Sequence, residues 1–225
     1  MSKKGSRKRR LVPLCASAWA LATGAAIVTV AGAAERPRIV EDQISYGNER
    51  REQMAGYSRR HYGDREWRLR DHDAIVLHYT AGGSYSSAWS TFDSNAPNRG
   101  ELPGVCAHYV VKQSGGIAEL VPPRIRCRHA IGLNHRSIGI EMVQEAGPGP
   151  AWADRQILER KPQIRAALRL VAWLQDRYGI ATGDVIGHSM ANDSPYFKDL
   201  QGWRNDHTDW LKGDVKEFRK RLRRL

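Results

Sequence analysis

Three residues that can bind a metal ion or move a proton stand directly after short apolar runs. His78, Glu141 and His188 follow Ile-Val-Leu, Ile-Gly-Ile and Val-Ile-Gly. Such runs are typical of buried strands, whose ends display polar side chains at the edge of a sheet. Catalytic zinc uses three protein ligands of this kind and one open position. Because the chain has no local motif such as His-Glu-x-x-His, a structural role for each histidine stays open at this point.

The elements that must position these residues predict an α/β domain with a mixed central β-sheet flanked by helices. Serine residues and an aromatic pair indicate a helix over 84–92, and apolar residues at helical spacing indicate a longer one over 162–178 that Gly179 ends. A Ser-Gly-Gly turn between two apolar runs predicts a hairpin. The predicted strands are 73–80, 105–111, 117–121, 137–143 and 184–188. Strands interleaved with helices favour this fold class.

The first 33 residues have the pattern of an export signal. Six Lys and Arg residues precede position 11, an apolar run covers 11–31, and small residues follow it. Cleavage would release a secreted or cell-envelope protein, whereas an uncleaved run of about 20 apolar residues would anchor it in the membrane. The polar segment 34–66 shows no clear period and predicts an arm or linker, which leaves 67–225 for the folded domain.

The formal net charge is +12, and the signal carries six of these charges. Six further basic residues cluster at the end of the chain: Lys216, Arg219, Lys220, Arg221, Arg223 and Arg224. We interpret them as the solvated face of a final helix, although they could also attract anionic cell-wall polymers. Nothing in the sequence indicates nucleic acid as a partner, and we expect a monomer.

Two cysteines remain once Cys15 leaves with the signal. Cys106 and Cys127 flank the predicted hairpin. An even pair in an exported chain predicts a disulfide, and a pair of buried free thiols is the alternative.

Five short segments follow one another in order between residues 74 and 210. They are IVLHYTA from 75, AHYVV from 107, RHA from 128, NHRSIGIE from 134 and VIGH from 185. Together they resemble the type 2 N-acetylmuramoyl-L-alanine amidases, the family that also contains the peptidoglycan-recognition proteins. The resemblance implies a single amidase domain over 67–225 that uses Zn²⁺ to cut the amide bond between N-acetylmuramic acid and L-alanine, with peptidoglycan muropeptides as substrate.

The same resemblance implies that His78 and His188 bind zinc and that an acid after His188 is the third ligand. This chain departs from the family pattern because a longer insertion, 189–204, follows His188. We take Asp209 as the third ligand, which puts His207 where the family usually has lysine. Asp193 and Asp199 are the competing candidates.

Glu141 falls where the family places a catalytic glutamate, and His207 would hold the developing oxyanion. Histidine has an ordinary pKa near ~6.5 and is only partly cationic at neutral pH, so the replacement of lysine implies a more pH-sensitive rate. His108, His129 and Asn134 match positions that line the substrate groove in relatives.

Two rival functions stay open at this stage. A binding module of the same fold could recognise peptidoglycan without cutting it, although such relatives usually lack a metal ligand. A basic polyanion-binding protein would instead depend on the arginine-rich end of the chain.

Overall fold

Six strands form one mixed sheet in the computed structural model, which describes Met1 and residues 33–225. The predicted export signal, with Cys15, therefore lies outside the described residues except at its two ends. The strands are β1 (Ile39–Glu41), β2 (Ala74–Ala81), β3 (Tyr109–Val111), β4 (Ile117–Glu119), β5 (Ser137–Glu145) and β6 (Val185–Gly187). Their order is β1-β4-β3-β5-β2-β6, and β3 and β4 are the antiparallel pair among parallel neighbours.

Five α-helices accompany the sheet in the described part of the chain. They are α1 (Asn48–Tyr62), α2 (Tyr85–Asp93), α3 (Pro150–Glu159), α4 (Lys161–Tyr178) and α5 (Lys212–Leu222). Short 3₁₀ helices cover Thr182–Asp184 and His188–Asp193. Helices α3, α4 and α5 share one buried apolar cluster with β2 and β5. This mixed α/β architecture confirms the predicted fold class. No helix among the described residues is long and apolar enough to span a bilayer.

Successive side chains of β2 and β5 point to opposite faces of the sheet, and one of these faces packs against the apolar cluster that contains α3, α4 and α5. Ile75 and Leu77 face the cluster with α3, α4 and α5, so His78 points to the other face of the sheet. In β5, Ile140 faces the same cluster and Glu141 points away from it. The parallel register pairs His78 with Glu141. Both residues lie inside their strands and not at the ends, because β2 and β5 continue to pair beyond them.

The segment predicted as an arm or linker, 34–66, contains β1 and α1. Helix α1 is polar overall, and its buried face mixes polar with apolar side chains, so the sequence shows no apolar period there. Met54, Tyr57 and Tyr62 are almost fully buried and form a small cluster with Trp67. This packing makes α1 part of the folded unit that extends from Ala33 to Leu225.

The predicted disulfide is present in the structure. Cys106 and Cys127 are bonded, with their Cα atoms 5.5 Å apart, across the β3–β4 hairpin. The basic cluster at the chain end lies in and after α5, but it is not wholly solvated. Arg219 Nε donates to the Val185 carbonyl at 2.8 Å, and Arg221 Nη1 donates to the Leu158 carbonyl at 2.6 Å. These bonds fix α5 to β6 and α3.

Gly187, the last residue of β6, is a point of close backbone approach. A Cβ atom at this position would lie 1.9 Å from the Trp210 carbonyl oxygen. Trp210 itself is fully buried, and its Nε1 donates to the His78 carbonyl at 3.2 Å. The glycine thus lets the chain after Asp209 lie directly against the strand that leads to His188.

We predict that Gly187→Ala lowers the free energy of unfolding by roughly 1–3 kcal/mol, because the added methyl group must push the Trp210 backbone away. Urea unfolding followed by circular dichroism would measure the change. Gly213→Ala is the matched control, since nothing lies within 4 Å of the added atom in α5. That variant should gain about 0.5 kcal/mol from its helix propensity. Equal stability of Gly187→Ala and the parent protein would contradict the prediction.

Candidate active site

Two histidines and one aspartate converge at the edge of the sheet. His78 Nδ1 lies 3.0 Å from His188 Nδ1 and 3.3 Å from Asp209 Oδ2, and His188 Nδ1 lies 3.1 Å from Asp209 Oδ1. All three residues are buried. Tetrahedral zinc with bonds near ~2.0 Å sets its ligand atoms roughly 3.3 Å apart. The triangle therefore has the size and the donor types that a zinc ion requires.

The charges of the triad also suit a metal ion. Burial, and then the neighbouring His188, lower the pKa of His78 to about 4, so its ring is neutral and can act as a ligand near pH 7. Burial opposes the ionisation of Asp209, but hydrogen bonds from His188 and His78 hold the pKa of its carboxyl well below the ordinary value. A neutral imidazole and an ionised carboxylate are the protonation states that bind Zn²⁺.

His129 lies behind His78 and fixes the orientation of its ring. His78 Nε2 is 3.1 Å from His129 Nδ1, and His129 Nε2 is 3.3 Å from the Ser137 carbonyl oxygen. If His78 binds metal through Nδ1, its Nε2–H donates to His129, which in turn donates to Ser137. Gly139 leaves room for this ring, since a Cβ there would lie 2.6 Å from His129 Cγ. The substrate contact expected of His129 stays a prediction beside this supporting role.

His108 and Asn134, the other expected substrate-binding residues, are buried and hydrogen-bonded to the backbone. His108 Nε2 donates to the Ile125 carbonyl, and its Nδ1 accepts from Gly139 N, both at 2.9 Å. Asn134 Oδ1 accepts from the backbone N–H groups of His129 and Ala130 at 2.8 Å. These contacts tie both side chains to the backbone near His129 and Gly139, and no sequence signal distinguished them from substrate contacts.

Glu141 borders the same cleft as the triad, and its carboxyl group has a buried oxygen without a partner in the described part of the chain. Its side chain is almost completely buried, and Oε2 has no hydrogen-bond partner among the described residues. Burial, followed by the negative charge of Asp209, raises the pKa of Glu141 well above its ordinary value. A carboxylate with a raised pKa and a free oxygen is suited to take up a proton.

His207 lies at the rim of the site. Its ring stacks on His188, with centroids 4.4 Å apart and planes 14° from parallel, and 63% of its side chain is exposed. Partial burial, and then His188, lower the pKa of His207 below its ordinary value. The ring is therefore mainly neutral at pH 7 and offers an N–H donor in place of a positive charge.

The backbone that carries Asp209 is held in an unusual conformation. Trp210, the next residue, has a φ of 56°, which is rare for a bulky side chain. Asp154 of α3 accepts hydrogen bonds from Trp210 N at 3.1 Å and from Leu211 N at 2.8 Å. The Ser189 hydroxyl donates to the Trp210 carbonyl at 2.7 Å. Asp154 thus positions Asp209, the candidate third ligand, a role that its helical sequence context did not reveal.

The two competing candidates for the third ligand lie elsewhere. Asp199 Oδ2 is 2.8 Å from His61 Nδ1, and Asp199 Oδ1 accepts from Gln201 N at 2.9 Å. Asp193 ends the 3₁₀ helix after β6 and is exposed. Within the described residues, Asp209 is the acid that joins the two histidines.

A cleft of about 740 Å³ opens over the triad. Tyr57 of α1 borders it, as do residues of α2, of the loop after α2 and of 206–209. The end of α1 ties its walls together, because His61 Nε2 is 3.1 Å from Glu101 Oε2 and the Tyr62 hydroxyl accepts from Asn134 Nδ2 at 2.9 Å. Helix α1 is therefore a wall of the site as well as part of the core.

The comparisons with known proteins agree with this geometry. The profile of the Amidase_2 family, described as N-acetylmuramoyl-L-alanine amidase, matches residues 68–209. The chain therefore belongs to this amidase family. A search of curated protein sequences gives no significant match.

Three solved structures are similar to this chain. The endolysin amidase LysCS from Clostridium intestinale has 16% identity and a TM-score of 0.50, with 82% of this chain and 96% of that chain covered. A mutant of PlyL has 13% identity and a TM-score of 0.51, with 83% of this chain and 99% of that chain covered. The Ph2119 endolysin from a Thermus scotoductus bacteriophage has 23% identity and a TM-score of 0.47, with 80% of this chain and 98% of that chain covered.

We predict that Asp154 makes stability fall as pH rises. Burial raises the pKa of its carboxyl from 3.8 to about 7, in spite of the two backbone N–H donors. A raised pKa means that the folded protein holds a proton that the unfolded chain has lost, so this contribution is complete below pH 4 and disappears as pH rises through 7.

Urea unfolding between pH 4.5 and 7.5 would compare the parent protein with Asp154→Asn. The variant should show a smaller fall in the free energy of unfolding over this range. It should also bind metal roughly 10- to 100-fold more weakly, because one of the two hydrogen bonds that orient the Asp209 segment is lost. Identical pH profiles of the two proteins would refute the role.

Proposed function

We propose that this protein is a zinc-dependent amidase that hydrolyses the bond between N-acetylmuramic acid and L-alanine in peptidoglycan. Membership of the amidase family supports the substrate class. The observation that carries the proposal is the buried triad of His78, His188 and Asp209, which faces a cleft that also contains Glu141. A non-catalytic recognition module has no need of a complete ligand set with a free carboxylate beside it.

The chain's own residues supply the proton transfers of the reaction. When bound by the triad, zinc would polarise the scissile carbonyl and acidify the attacking water. Glu141, whose Oε2 is unpaired, would accept the proton of that water and pass it to the L-alanine nitrogen as the C–N bond breaks. The raised pKa of Glu141 favours the second half of this transfer, since a protonated carboxyl must persist until the amine leaves.

His207 would stabilise charge on the carbonyl oxygen. Its ring lies against His188 at the solvent side of the triad and can donate one N–H without carrying a charge. As the ring loses its remaining positive charge with rising pH, this stabilisation should weaken, in contrast to that from a lysine.

We further propose that the enzyme acts outside the cytoplasmic membrane. The basic and apolar start of the sequence supports export, and the Cys106–Cys127 disulfide suits an oxidising compartment. Peptidoglycan lies in that compartment, so location and substrate class agree.

The proposal predicts that Glu141→Gln abolishes hydrolysis and retains zinc. The variant keeps the size of the side chain but cannot accept the proton, and the rate should fall about 10²- to 10⁴-fold. Release of new L-alanine amino termini from purified cell walls would measure the rate, and elemental analysis would measure zinc. Glu145→Gln, an exposed change at the end of the same strand, is the matched control and should leave the rate unchanged.

The metal ligands need a separate arm of the experiment. Asp209→Ala should lose both zinc and activity, whereas Asp193→Ala should keep both. Chelation should abolish the activity of the parent protein, and added zinc should restore it. Hydrolysis that survives a strong chelator would refute the metal mechanism, and cell-wall binding without any hydrolysis would favour the recognition module.

A further inference from the structure

A tight turn at the edge of the cleft presents one arginine at its tip. Asn98 N donates to the Glu101 carbonyl at 3.0 Å, and Glu101 N donates to the Asn98 carbonyl at 3.1 Å. The two central residues are left-handed, with φ values of 52° at Arg99 and 75° at Gly100. Glycine adopts this conformation without strain, but arginine does so at a cost of about 1 kcal/mol. The turn therefore holds Arg99 in place at some expense of stability.

Arg99 is the partly exposed cation among the described residues that border the cleft. Among the described residues that border the cleft, the Lys and Arg side chains are those of Arg99 and Arg128. Arg128 is buried, and its Nη1 donates to the carbonyls of Glu101 and Pro103 at 2.8 and 2.6 Å. The Arg99 side chain is 40% exposed, and its guanidinium lies 5.7 Å from the centre of the Trp203 ring.

Asp206, which borders the same cleft, forms an ion pair with the guanidinium of Arg99. The Arg99 Nη2 atom donates to Asp206 Oδ2, and 68% of the Asp206 side chain is exposed. Asp206 directly precedes His207 and stands three residues before the ligand Asp209, which is at most ~11 Å along the chain. The carboxylate that Arg99 binds therefore belongs to a residue only three positions before Asp209 of the triad.

The expected substrate also carries a carboxylate close to the scissile amide bond. The second residue of a peptidoglycan stem is D-glutamate linked through its γ-carbonyl, so its α-carboxylate is free or, in some walls, converted to an amide. This group lies one residue beyond the L-alanine whose bond is cut. Arginine binds a carboxylate through two parallel N–H donors, which a carboxamide cannot accept in the same way.

We propose that Arg99 selects stem peptides with a free α-carboxylate on D-glutamate, and that Asp206 occupies the guanidinium until this carboxylate displaces it. The inference rests on the proposed amidase function and names the specificity of that same site. Arg99 acts in binding and takes no part in proton transfer, so its loss should raise KM more than it lowers kcat.

The test uses two synthetic substrates, N-acetylmuramoyl-L-alanyl-γ-D-glutamyl-L-lysine and its α-carboxamide counterpart. The parent enzyme should prefer the free acid by roughly 10- to 100-fold in kcat/KM, as expected for one charged hydrogen-bonded pair. In Arg99→Asn this ratio should fall close to one, mainly through KM for the acid. Asparagine tolerates the left-handed backbone, so the turn should persist. Arg99→Lys, which keeps the charge but not the paired donors, should give an intermediate ratio.

Asp206→Asn tests the displacement. Removing the competing charge should lower KM for the free acid and leave KM for the amide nearly unchanged. The matched control is Arg65→Ala, which breaks another exposed arginine–carboxylate pair, at 2.8 Å from Glu52, away from the cleft. This control should keep the ratio of the parent enzyme.

The outcomes separate this inference from the proposed function. Turnover of both substrates by the parent enzyme with equal kcat/KM, or an unchanged ratio in Arg99→Asn, would overturn the role of Arg99 and leave the amidase intact. A higher KM for the acid in Asp206→Asn would overturn the displacement, since Asp206 would then assist binding. Failure of the zinc-loaded parent enzyme to cut either substrate or cell walls would refute the amidase function itself.

Discussion

The site depends on the burial of a negative charge between two imidazoles. The carboxylate of Asp209 lies 3.3 and 3.1 Å from ring nitrogens of His78 and His188, and little of it reaches solvent. Burying an ionised carboxylate costs several kcal/mol unless a positive charge and well-placed donors offset the cost. The lowered pKa of His78 leaves its ring without the required charge near neutral pH. A divalent cation would supply that charge, which gives the arrangement an electrostatic reason to bind one.

The scaffold around Asp209 holds this charge in position. Trp210 adopts a left-handed backbone, Asp154 binds the two following N–H groups, and Gly187 allows the backbone to approach β6. The left-handed backbone of Trp210 alone would cost free energy, and the hydrogen bonds to Asp154 help to offset that cost. Together these features place a carboxylate against two side chains that arrive from neighbouring strands of the sheet.

Sequence patterns predicted the parts of the site that short-range chemistry dictates. The apolar runs before His78, Glu141 and His188 indicate buried strands, and the parallel register of β2 with β5 and β6 then brings their polar residues together. The segments with few apolar residues were harder to interpret. Helix α1 buries polar residues such as Arg50, Ser58 and His61 on the same face as its apolar ones, so the sequence shows no apolar period there.

Residue type alone also could not assign roles to the remaining histidines. His108 and His129 are each bonded through both ring nitrogens, but those partners are carbonyls, an amide and another ring that come from distant positions in the chain. The role of Asp154 was hidden for the same reason, because its partners lie 56 and 57 residues away. Long-range backbone contacts of this kind leave no local pattern.

The flanking helices change what a minimal catalytic fragment would be. The family match covers 68–209 and ends on Asp209, so it contains all three residues of the candidate metal site. A fragment trimmed to these limits would nevertheless lack the tryptophan that follows Asp209, the helix α5 packed beneath it, and the helix α1 that borders the cleft. Such a fragment would retain the whole triad and expose the apolar surfaces that keep the triad assembled.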